Sequence, residues 1–204
     1  MLNTYYFPCA ANEISIDSDF MDELDKSAEW EASCKKNGWR MLIQKIAGEV
    51  ILWTRHKTLI KQAVPELREV FRALPDDTMI DGELLSTFRI KNEPDSAYLF
   101  DIIMLKGDLL VKQPLWERRI ALEAVLEESQ IIDHPKIELA KQVRVGKKNL
   151  YWQALEEWPV NEGIVLKKID SPYPISPVKN LTNPYWLKIK RIADHLKTGG
   201  VNGN

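Results

Sequence analysis

The sequence predicts an α+β fold built on antiparallel sheets flanked by helices. Three observations carry this reading. Segments such as MIDGELL and YWLKIKR alternate apolar and charged residues with period 2; RMLIQKI and VILWTR are joined by a turn at AGE, 47–49; and three stretches with helical spacing lie between the strands. At 204 residues the chain can bury one sizeable core, and a single domain over 1–204 is expected.

Taken in order, Ser18 caps an acidic helix running through DFMDELDKSAEW. From Arg40 the chain is strand-like and forms the hairpin just described. Pro65 opens a helix, PELREVFRAL, with Val64, Leu67, Val70, Phe71 and Leu74 on one face. DTMIDGELLSTF and SAYLFDIIML read as strands, followed by a turn at KGD. Pro114 starts the amphipathic helix PLWERRIALEAVLEE, which offers Leu115, Ile120, Leu122 and Leu126 for burial. GKKNLYWQALEEW is a further helix, ended by Pro159. EGIVLKK and YWLKIKR are late strands on either side of the proline-rich loop SPYPISPVKNLTNP, and the tail TGGVNGN reads as unstructured. There is no internal repeat.

Composition narrows the function classes. The chain is 45% hydrophobic and 28% charged, ordinary for a soluble protein, and no apolar run approaches the ~20 residues of a membrane span. The opening MLNTYYFPCAANEISID lacks the basic and apolar regions of a signal peptide, so a cytoplasmic location is expected. Cys9 and Cys34 do not make a disulfide framework and suit a reducing compartment. His56, His134 and His195 have no zinc-ligand spacing. Net charge is -2 with pI near 6.0, yet acidic residues crowd 13–31 and basic ones 167–197. The usual reading of either run is a solvated face; the basic one can also meet phosphates locally.

Period 2 places Asp81 with Glu83, opposite Ile80 and Leu84, and Lys188 with Lys190, opposite Leu187 and Ile189. On an isolated strand such a pair is a solvent face. The set Lys35, Arg40, Asp81, Glu83, Glu162, Lys167, Lys188 and Lys190, all in or beside strands, points further. If these residues converge, Glu83 and Glu162 can hold Mg²⁺ through oxygen ligands, and lysines can bind phosphate oxygens. A lysine whose pKa is lowered can attack phosphorus. The chemistry this describes is phosphoryl or nucleotidyl transfer through a lysine adduct.

KKNGWR at 35–40 resembles motif I of the covalent nucleotidyltransferases, Lys-x-Asp-Gly-x-Arg, found in ATP-dependent DNA and RNA ligases and mRNA capping enzymes. DGEL at 81–84 resembles motif III, YLFDI at 98–102 motif IIIa, EGIVLKK at 162–168 motif IV and WLKIK at 186–190 motif V. Order and spacing agree over residues 28–191. ILWTRHK, IDGELL, FDIIMLKGDLL with PLWERR, and EGIVLKKIDSPY are most similar to ATP-dependent DNA ligases, especially bacterial end-joining and phage types.

The resemblance implies a ligase-type nucleotidyltransferase fold with a nucleotide cleft between its sheets. It also implies a three-step reaction: Lys35 takes AMP from ATP, AMP passes to a 5′-phosphate, and a 3′-hydroxyl displaces it to seal the nick. Carried across, Arg40 and Glu83 hold the ribose, Phe100 stacks on adenine, Glu162 and Glu83 bind metal, and Lys188 with Lys190 grip the α-phosphate. Arg55 contacts the nucleic-acid backbone. The partner implied is nicked double-stranded DNA, met by a monomer away from any membrane.

Each assignment has a plainer rival. Phe100 reads equally as core, Arg55 and Lys168 as surface charges, and Trp39 and Trp186 as packing. Lys36 competes with Lys35 but stands two residues before Gly38 instead of three.

The chain departs from the family pattern at three points. Asn37 stands where Asp is usual, Ser33 where DNA ligases often place an adenine-contacting Glu, and the sequence given ends soon after motif V without an OB domain. The expectation is therefore an adenylation domain, either a piece of a longer ligase or a naturally minimal protein served by a separate OB domain or accessory protein. An RNA ligase or capping-type transferase, or a nucleotide- or DNA-binding module that does not turn over, are the alternatives.

Overall fold

Residues 5–60 and 64–191 are described in a computed structural model of the chain; the tail TGGVNGN and His195 lie outside them. A four-stranded sheet takes the order β1 (Ala10–Glu13), β10 (Thr182–Lys190), β9 (Asn161–Lys168), β2 (Trp30–Lys36). A six-stranded sheet runs β4 (Glu49–Thr54), β3 (Trp39–Ile46), β5 (Thr78–Leu85), β6 (Ser96–Leu105), β7 (Asp108–Leu109), with β8 (Ile137–Leu139) also on β6. Pairing is antiparallel except for β1 on β10 and β8 on β6. The helices are α1 (Asp19–Lys26), α2 (Pro65–Phe71), α3 (Leu115–Glu128) and α4 (Lys147–Glu156). The α+β reading with antiparallel sheets and flanking helices holds.

Local chemistry explains these elements. Ala47 and Gly48 close the β3–β4 hairpin at φ 49° and 81°, the positive-φ pair that a tight two-residue turn needs. Ser18 Oγ accepts from the Met21 amide at 3.2 Å, capping α1 as the sequence implies. That helix stops at Lys26, short of Trp30, because Trp30 enters β2 and pairs with Lys168.

α3 corrects another expectation: Ile120 is 59% exposed, while Leu115, Arg118, Leu122, Val125 and Leu126 form the buried stripe. Ile120 stands two residues from Arg118, about 200° round the helix, so both cannot face inward. Arg118 tolerates full burial because its guanidinium reaches Asp101 twice, at 2.8 and 3.1 Å, and donates to the carbonyls of Gln113 and Ser171.

Each sheet turns one face to helices and the other toward its counterpart. Met41, Ile43, Ile80 and Leu84 pack with α2 and α3; Ala32, Ile164, Leu166, Leu187 and Ile189 pack with α1 and α4. A third cluster joins the sheets, where Leu42, Met79 and Ile103 meet Trp186 and Tyr173. Among the described residues no helix is long and apolar enough to cross a membrane.

Candidate active site

The four-stranded sheet presents its polar face in cross-strand rows. Residues directly opposite in a ladder point to the same side. One row is Glu31, Lys167 and Trp186; the next is Ser33, Val165, Lys188 and Glu13; the third is Lys35, Gly163 and Lys190. Ala32 and Cys34 point the other way, into the packing with α4. Gly163 takes φ 142°, and a Cβ there would lie 1.9 Å from the Ile189 carbonyl oxygen. The third row therefore has two lysines with nothing between them.

The Lys35 ammonium is ion-paired with the Glu162 carboxylate, each side chain about one-fifth exposed. Lys36 turns away from this pair to Glu138 at 3.2 Å and lies over the Tyr98 ring. Lys188 and Lys190 share one carboxylate oxygen of Glu13, at 3.4 and 3.5 Å. Slight burial would lift the Glu13 carboxyl, but the two lysines outweigh it and hold it below its ordinary value.

The six-stranded sheet supplies the opposite wall. Arg40, Glu83 and Tyr98 stand in one cross-strand row. Arg40 Nε donates to Asp81 at 2.5 Å, and its other nitrogen reaches the same carboxylate, which also accepts from Tyr173. The guanidinium lies 4.7 Å from the Phe100 ring centroid. Burial pushes the Glu83 carboxyl up to about 7, against the pull of Lys35 and Arg40.

Phe100 owes its position to a register shift. Asp81 pairs with Asp101 and Gly82 with Leu99, which leaves Phe100 as an extra residue. This bulge sends both Phe100 and Asp101 away from the helix-backed core that Leu99 and Ile102 enter.

Lys35, Arg40, Glu83, Phe100, Glu162, Lys188, Lys190 and Arg55 all line one cleft of about 540 Å³. Arg55 stands exposed at its edge, with Nε donating to His56 at 3.0 Å. Strand alternation legible in the sequence is borne out, since Ile80, Leu84, Leu187 and Ile189 are all core. Trp186 is packing, as expected, and Trp39 packs partly while stacking on Phe88.

Tyr173 was not singled out in the sequence, and Lys167 was named only as a member of the charged set. Tyr173, in the proline-rich loop, anchors Asp81. Lys167 is 6% exposed, its ammonium 3.8 Å from the Trp186 ring centroid and 4.6 Å from that of Phe100; burial lowers its pKa to about 8.

The departures at Ser33 and Asn37 have visible surroundings. Ser33 is buried opposite Val165. Asn37 Nδ2 donates to the Pro159 carbonyl at 3.1 Å while its Oδ1 accepts from Arg89. An Asp at this position could make only the second contact.

Comparison with known proteins agrees with this architecture. A family model described as ATP dependent DNA ligase domain matches residues 86–190. A DNA ligase of Methanothermobacter thermautotrophicus is 30% identical over 202 residues, covering 83% of this chain and 34% of that protein. The SPbeta prophage-derived DNA ligase-like protein LigB of Bacillus subtilis is 29% identical, over 86% of this chain and 64% of its own length.

Among solved structures, mycobacterial DNA ligase D complexed with ATP and MES superposes with TM-score 0.71 at 19% identity, covering 94% of this chain and 62% of that one. Chlorella virus DNA ligase-adenylate gives 0.57 at 16% identity, covering 90% and 68%. These likenesses show the ligase nucleotidyltransferase fold. The chain spans 33 to 37% of the length of the archaeal DNA ligases it matches.

Proposed function

Because the chain belongs to the ATP-dependent DNA ligase domain family, we propose that residues 1–204 are the adenylation domain of such a ligase, acting as a monomer on nicked duplex DNA. An OB domain or accessory protein would work with it, in the cytoplasm, where the free thiols of Cys9 and Cys34 are stable.

Lys35 Nζ is the nucleophile. It forms a bond to the α-phosphorus of ATP as the bond from that phosphorus to the bridging oxygen breaks, and pyrophosphate leaves with the electron pair. Glu162, already hydrogen-bonded to Nζ, is placed to take the proton. Lys188 and Lys190 neutralise charge on the α-phosphate, Arg40 and Glu83 hold the ribose, and the Phe100 ring receives the base. AMP then moves to a DNA 5′-phosphate, with Arg55 on the backbone, and the 3′-hydroxyl displaces it.

Among the described residues no cluster of three or more His, Cys, Asp or Glu side chains forms a metal cage. Mg²⁺ asks for less, one or two carboxylates beside substrate phosphates, and Glu162 with Glu83 meets that need. When bound, the ion offsets negative charge on the phosphate oxygens.

The observation that supports this reading most is the Lys35–Glu162 pair, set in the same cleft as Lys188, Lys190, Arg40 and Glu83. Incubation with α-labelled ATP and Mg²⁺ should leave label on the protein through a denaturing gel, and Lys35→Ala should carry none. Absence of label on the unsubstituted protein at every pH tried would refute it.

A further inference from the structure

We propose that Glu13 stands in for a substrate phosphate, a positioning residue that keeps Lys188 and Lys190 gathered until the nucleotide's anion replaces it. The inference rests on the reading that these two lysines bind phosphate. Its basis is geometric. β1 pairs in parallel with β10 so that Glu13 lies opposite Lys188, and one Glu13 oxygen is shared by both ammonium groups, at 3.4 and 3.5 Å. A single oxygen bridging two lysines is the contact a phosphate oxygen would make.

Side chains two apart on a strand face the same way, so without a counter-ion the two ammonium groups repel each other. Glu13 relieves that repulsion. The Glu13 side chain is 57% exposed, free to swing into water, and its strand continues a segment, Pro8 to Ala11, that lines the cleft. The same segment is tied to the opposite wall, where Arg40 donates to the Cys9 carbonyl at 3.3 Å. Glu13 thus occupies the two ammonium groups that an arriving anion would take, and its carboxylate opposes binding by an amount set by these two solvent-accessible ion pairs.

The test is calorimetric titration of the 204-residue chain with ATP and, separately, with inorganic pyrophosphate, for the unsubstituted protein, Glu13→Gln, Glu13→Ala, Lys188→Gln and the double variant Glu13→Gln/Lys188→Gln. Both Glu13 variants should bind each ligand about 3- to 10-fold more tightly at low salt, the range expected for breaking weak exposed pairs. That gain should shrink as salt rises. It should vanish in the double variant, which a purely structural role for Glu13 would not produce. If Lys188→Gln weakens binding while both Glu13 variants bind as before or more weakly, the inference fails and the phosphate role of the lysines stands. If Lys188→Gln binds both ligands undiminished, the phosphate reading fails and takes the inference with it.

Discussion

Lys35 faces Gly163 directly across the β2–β9 ladder, and Gly163 in turn faces Lys190 on β10. The glycine is required twice over. Its φ of 142° disfavours any side chain, and a Cβ would run into the Ile189 carbonyl, which is backbone and cannot step aside.

Gly163→Ala should therefore destabilise the fold by about 2–4 kcal/mol and push β9 off β10, separating Lys35 from Lys190. Urea unfolding gives the first quantity, and the yield of labelled adduct reports the second. A stable Gly163→Ala protein with full adduct would show that the row tolerates movement.

Glu83 makes stability depend on pH in a defined direction. Its carboxyl titrates near 7 in the folded chain, against an ordinary 4.5, so between those values the folded state keeps a proton the unfolded state has released. Stability must then fall as pH rises through this window. Glu83→Gln should remove about 1–2 kcal/mol of that fall, allowing for partial exposure of the site. Urea midpoints at pH 5 and 7.5 for both proteins check the sign. Mg²⁺ binding, which needs the ionised form, should strengthen over the same interval.

Asp101 serves two cations of unequal importance. Arg118 and Asp101 are wholly buried, and Arg118 also carries two carbonyls. Lys167 approaches the same carboxylate at 3.7 Å, and burial already depresses its pKa to about 8. Arg118→Leu should cost about 3–5 kcal/mol because it strands a buried charge, whereas Lys167→Met should be near neutral or stabilising at pH 7. Thermal and urea unfolding of the two variants separate these outcomes.

Period-2 alternation was enough to place Asp81 with Glu83 and Lys188 with Lys190, since the residues between them are large and apolar and leave no doubt about which face is core. β2 was harder to see. WEASCKK alternates Glu31, Ser33 and Lys35 with only Ala32 and Cys34, side chains too small to give a strong strand signal, so the strand that bears Lys35 shows only once its partner β9 is known. The Phe100 bulge escapes any fixed period, because one extra residue changes which face follows. In α3 apolar residues lie on all sides, so the phase that buries Arg118 and exposes Ile120 is set by Asp101 across the sheet. Asn37 departs from the motif at a side chain whose amide donates to a carbonyl far along the chain, that of Pro159, a contact no local pattern discloses.

Among the described residues, β1 has β10 as its one ladder partner and β2 has β9, apart from a single bridge between Ala32 and Val143. During synthesis the segment carrying Lys35 therefore lacks its ladder partner until residues 161–168 have left the ribosome, and β1 lacks its own until residues 182–190 have. The six-stranded sheet, whose first hairpin closes over a two-residue turn, can form well before that. The cleft is completed last in the life of the nascent polypeptide, so a chain cut short before β10 would have its larger sheet assembled and one wall of the cleft missing.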